Sequence, residues 1–162
     1  MSLIKTDAIQ TLAGKPILNS TGSVLQVLQA VKTANAFVFT DTYADVGLSQ
    51  AITPSSTSSK IYIVSDNSIY INALGGGLRF LRDSTTIYEP ASGDSNGPFL
   101  FYVSSGSEFL LVPMIYMDSP NTTSQVTYKI QAKRYASSAN VTYNYTDVGN
   151  PSSTLTLMEI AG

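Results

Sequence analysis

The 162-residue chain has no cysteine, no histidine and no tryptophan, and charged residues make up only 12% of it. Without cysteine there is no disulfide framework, no thiolate zinc site and no thiol nucleophile. Without histidine the commonest general base and the commonest metal ligand are gone as well. Six Lys, three Arg and three Glu leave little material for salt-bridged helical faces. The net charge of −2 offers no basic surface to DNA, RNA or anionic lipid, so no nucleic-acid partner is expected. Long apolar runs are also missing. The longest, Phe109 to Met117, is interrupted by Pro113 and falls short of the roughly 20 residues that a membrane-spanning helix needs. Met1 to Gly22 lacks the apolar stretch and small-residue cleavage site of a signal peptide, so cytoplasmic synthesis without membrane insertion is expected.

What the chain has in abundance is Ser and Thr, 39 together, with 10 Tyr, 6 Phe and 11 Gly. Thr, Tyr, Val and Ile suit a pleated, half-buried surface better than a helix. With 43% apolar residues the chain can bury a core. The expected fold is all-β, an antiparallel β-sandwich of jelly-roll type with an extended N-terminal arm. Lys60 to Val64 and Val126 to Tyr135 alternate most cleanly, and in the latter Val126, Tyr128, Ile130 and Ala132 share one face. Further strands are expected over Val24–Lys32, Ala36–Thr40, Val46–Ile52, Leu78–Arg82, Thr85–Tyr88, Phe99–Val103, Phe109–Asp118, Val141–Tyr145 and Thr154–Ala161. Asp66-Asn67-Ser68 reads as a turn with Ile69–Leu74 as the returning hairpin strand, and Gly75-Gly76-Gly77 as a flexible corner.

The first 22 residues read differently. Turn clusters at Ala13–Pro16 and Asn19–Gly22 flank short apolar pieces, and Leu3, Ile4, Ile9, Ile17 and Leu18 are wasteful in solvent. Residues 1–22 are therefore expected to be an anchoring arm that docks on a partner, and residues 23–162 the sandwich.

No residue qualifies as catalytic, cofactor-binding or metal-ligating. The glycine triplet runs into a strand, not into a helix that could hold phosphate. Asp66, Asp83, Asp94 and Asp118 sit in or beside turn sequences, where an Asx side chain caps its own backbone. Ser92–Gly97 carries one acid, too few for calcium. The tyrosines suit a core or subunit interface, and secondarily a platform for stacking sugars. Val24–Val31, Ile69–Leu74, Phe99–Val103 and Phe109–Met117 are apolar on both faces of a strand, which requires a second cover beyond the chain's own core.

Six blocks carry a resemblance: Lys5–Gln10, Ala13–Asn19, Ile52–Ile61, Leu78–Arg82, Asp118–Pro120 and Met158–Gly162. In order along nearly the whole chain, they resemble a family of virion structural proteins from cyanophages and other marine tailed phages, described as tail-fibre-like or minor virion components. The resemblance implies a non-enzymatic virion part without cofactors: a β-sandwich, a homotrimer, exposed on the particle and contacting other capsid or tail proteins. The chain lacks the extended shaft of long fibres, which favours a small knob. A receptor-binding module that recognises host-surface carbohydrate is the alternative.

Overall fold

The computed structural model describes residues 21–33, 37–90, 100–104, 106–147, 149 and 151–162. Among them there is no helix, and ten strands account for the regular structure: β1 (Val24–Lys32), β2 (Phe37–Val38), β3 (Ala44–Ile52), β4 (Lys60–Arg82), β5 (Thr85–Tyr88), β6 (Phe101–Val103), β7 (Glu108–Asp118), β8 (Val126–Arg134), β9 (Asn140–Tyr143) and β10 (Ser153–Ile160). Their pairing is nested. β1 pairs with β10, β2 with β9, β3 with β8 and β4 with β7, all antiparallel. Such nesting is a long hairpin rolled upon itself, the jelly-roll arrangement that the strand spacing anticipates.

Two sheets result, and β4 belongs to both. Its first part, up to Ala73, lies between β7 on one side and β10 and β9 on the other, with β1 beyond β10 and β2 beyond β9. We call this the first sheet. From Leu74 onward β4 joins β8, with β3 outside it, and β5 and β6 on the opposite side. At the crossing Leu74 takes a φ of 60°, a left-handed value rare for a branched side chain. The two glycines that follow permit close backbone approach. A Cβ on Gly75 would overlap the carbonyl of Phe101, and one on Gly76 would lie 2.7 Å from the Lys133 carbonyl oxygen. The glycine triplet is thus a change of sheet within a continuous strand.

The turn expected at Asp66-Asn67-Ser68 does not exist, and neither does the hairpin, because β4 runs through all three residues. The physical reason is parity. Ser65 and Asn67 point inward, and they satisfy each other and their neighbours. Asn67 Nδ2 donates to Ser65 Oγ (2.9 Å) and to the Val112 carbonyl (2.9 Å), while its Oδ1 accepts from Tyr143 Oη (2.8 Å). Polar residues read as a loop are here a buried network that needs no turn.

The core lies between the sheets. Ile61, Ile63, Ile69, Ile71, Leu155 and Leu157 from the first sheet meet Leu78, Phe80, Tyr128 and Ile130 from the second, all fully buried. The alternation read in Val126–Tyr135 holds: Val126, Tyr128, Ile130 and Ala132 are buried and their neighbours are not. Of the arm, only Thr21 and Gly22 are described. Gly22 N donates to Ala161 O (2.8 Å), and Ala161 N to Ser23 O (2.8 Å), which pins the start of β1 beside the end of β10. Leu3, Ile4, Ile9, Ile17 and Leu18 lie outside the described residues, as do Asp94 and the Ser92–Gly97 loop.

Candidate functional site

The two outer faces of the sandwich differ in kind. On the second sheet the outward row is polar and paired. Arg79 Nε and Nη2 donate to Gln131 Oε1 (3.0 and 2.7 Å), Gln131 Nε2 to Asp45 Oδ1 (2.6 Å), and Lys129 Nζ to Asp45 Oδ2 (2.9 Å). Arg79 also bridges to Glu89 (3.1 Å) and lies 4.0 Å over the Tyr43 ring. Burial, and then the Glu89 carboxylate, push the Tyr43 phenol well above its usual value.

On the first sheet the outward face is apolar. Cross-strand register builds it row by row: Val27, Met158, Tyr62 and Met117 form one row across β1, β10, β4 and β7. In the next, Val64 and Ile115 stand beside Gln29 and Thr156, which bond to each other (2.8 Å). Further along, Leu111 stands opposite Ser68 and Phe109 opposite Tyr70. Of the nine large hydrophobic residues most exposed among the described ones, Tyr102 belongs to the other sheet and eight belong to this face. On β7, Phe109, Leu111, Ile115 and Met117 are 58%, 65%, 55% and 44% exposed. Their alternates Val112 and Met114 are buried, so β7 is apolar on both faces, as its sequence requires. In Ile69–Leu74 the expectation is corrected: the outward residues are Tyr70 and Asn72, so that segment carries one apolar face.

Near one end of this face three rings cluster. Tyr70 and Tyr145 stack at 4.4 Å between centroids, and Phe109 lies 5.0 Å from Tyr70. Tyr128 and Tyr143, by contrast, are core residues.

A cleft of about 550 Å³ opens where β1 and β10 meet the 53–59 loop, lined by Gln26, Ser55, Ser56, Ser58 and Glu159 among others. Glu159 is buried and accepts from Ser55 N (2.7 Å), Ser55 Oγ (2.6 Å) and Gln26 Nε2 (2.6 Å). Burial raises its pKa, but these donors outweigh burial and hold the carboxyl below its usual value. The arrangement fastens a loop to two strands and commits both carboxylate oxygens to structural donors. Asp118 is similarly occupied: it accepts from Arg82 Nη1 (2.7 Å) and from the buried Tyr128 Oη (2.6 Å), so it ties the two sheets together and is not a turn cap. Asp83 sits at the turn after β4, but its carboxylate accepts from Thr127 N of β8 (2.9 Å) and so fastens the turn to the neighbouring strand instead of capping its own backbone, whereas Asp66 lies within β4. Among the described residues no group of three or more Asp and Glu is placed to hold a metal ion, and no helix is long and apolar enough to cross a membrane.

No family model matches the chain, and neither does any curated protein. Solved structures do match over most of it. They include the VP2 subviral particle of infectious bursal disease virus (12% identity, TM-score 0.35, 86% of this chain and 38% of that one). The T=1 particles derived from the same virus align at 14% identity and a TM-score of 0.38, over 96% of this chain and 41% of that one. Its T13 particle aligns at 12% identity and a TM-score of 0.37, again over 96% and 41%. The chain spans about two-fifths of the length of these viral chains.

Proposed function

We propose that the chain is a non-enzymatic structural component of a phage virion. In this reading three copies form a knob or fibre-like appendage on the particle surface, anchored on other virion proteins by residues 1–22. One observation carries it: the sandwich has a polar, internally paired outer face and an opposite one that holds eight of the most exposed large hydrophobic residues among those described, the construction of a subunit. The phage-like sequence blocks support the setting. The commitment of Asp45, Asp83, Asp118 and Glu159 to structural hydrogen bonds supports the absence of catalysis.

Deleting residues 1–22 tests the anchor. The remaining sandwich should stay soluble and folded but fail to enter particles. Normal incorporation of the shortened chain would move the anchor elsewhere, and absence of the full chain from purified particles would end the virion reading. The Tyr70–Tyr145–Phe109 cluster, half-buried tyrosines beside an exposed Phe, favours a second reading, carbohydrate recognition at a tail tip. Tyr145→Ala should then abolish binding on a glycan array while leaving the fold intact.

A further inference from the structure

We infer that the apolar outer face of the first sheet is the seam between copies of this chain, and that at β7 the copies meet face to face and not strand to strand. The inference rests on the three-copy reading above and assigns it a surface. Area supports a second copy as the occupant. The eight exposed side chains offer roughly 600 Å² of apolar surface, taking a free side chain as about 120 Å² for Val to about 170 Å² for Phe and each as about half exposed. That reaches the top of the range for the largest patch of a typical monomer, about 300–600 Å², and the half-buried Tyr62, Val64, Met158 and Ile160 on the same face extend it toward the roughly 800 Å² per partner of a stable interface.

Charge supports it as far as the face carries few ionisable groups: Lys60 in the row of Val24, Asp66 opposite Pro113, and Asp147 beside Tyr145 at the far end, so like surfaces meet without stacking many like charges. Pro113 decides the mode. β7 is an edge strand whose sole ladder partner among the described strands is β4. That ladder passes Pro113 with no register shift, as it does when the ring nitrogen faces the free edge. A strand added along this edge would meet a missing donor at its midpoint. Along β7, side chains are left as the contact.

The experiment is light scattering after size-exclusion chromatography on the full chain at micromolar concentration. The variants are Leu111→Asp and Met117→Lys, both outward on β7, and the exposure-matched Tyr102→Asp on the other sheet. A cooperative thermal melt shows which variants are folded. Wild type and Tyr102→Asp should give about three times 17.3 kDa, and the two β7 variants 17.3 kDa. Folded β7 variants that keep the threefold mass overturn the seam and leave the three-copy reading standing. A wild type at 17.3 kDa overturns both; the face is then covered by residues 1–20 of the same chain or by a different protein.

Discussion

Replacing Glu159 with Gln tests whether the negative charge, and not the bulk of the side chain, holds the 53–59 loop against the sandwich. The carboxylate accepts three hydrogen bonds, two from Ser55 and one from Gln26, at 2.6–2.7 Å. A glutamine fills nearly the same volume but has one acceptor oxygen, and its amide nitrogen must face a donor. At least one bond to a charged acceptor is lost, and such bonds contribute about 1.5–3 kcal/mol each. The residue is almost fully buried, so water does not replace the lost partner, and the cost at neutral pH should be about 2–4 kcal/mol. The sign with pH follows from the lowered carboxyl pKa in the folded chain. The unfolded chain binds the proton more readily, so the stabilisation is complete above the unfolded pKa and disappears as pH falls through the folded one. Urea denaturation should therefore show Glu159→Gln well below wild type at neutral pH, with the two converging as pH falls through the lowered pKa of the folded carboxyl. A deficit under about 0.5 kcal/mol at neutral pH, or one that persists unchanged in acid, would refute the argument.

Gly75→Ala forces a Cβ into the Phe101 carbonyl and should cost at least about 2 kcal/mol, seen as a lowered midpoint in a thermal melt. Asn67→Ala removes the partner of Tyr143 Oη, Ser65 Oγ and the Val112 carbonyl together, and should cost about 2–4 kcal/mol by urea titration, whereas Asn72→Ala on the exposed side of β4 should cost under about 0.5 kcal/mol. Pro113→Val returns a donor to the midpoint of the β7 edge, so gel filtration should show species larger than any that wild type forms; an unchanged profile would mean that proline is not what protects the edge.

Strand identity was readable wherever apolar and polar residues alternate, as in Val126–Arg134, because inward parity is written directly into the residues. The two-sided character of Phe109–Met117 was readable for the same reason, since every position is apolar or Pro. β4 was not readable as one strand. Its inward Ser65 and Asn67 are polar, and the partners that satisfy them, Val112 and Tyr143, are remote in sequence. The role of Glu159 had a faint signal, an acid at the inward parity of Leu155 and Leu157, but nothing local indicates that Ser55 will supply its donors. The change of sheet at Leu74–Gly76 depends on how closely the backbones of Phe101 and Lys133 approach, which composition does not encode.

The nested pairing has a consequence for how the chain is made. Every strand up to Arg82 finds its ladder partner later in the chain: β1 waits for β10, β2 for β9, β3 for β8, and β4 for the six strands that follow it. A ribosome that has released the first half has produced apolar strands with nothing to hydrogen-bond to. At about 5–20 residues per second, β1 stays without its mate β10 for several seconds or more, long enough for the exposed segments of two nascent chains to find each other. Ladders this distant in sequence also form slowly once the chain is complete. Assembly must therefore close late and largely at once, when the emergence of β10 supplies the strand that β1 and the first part of β4 both lack.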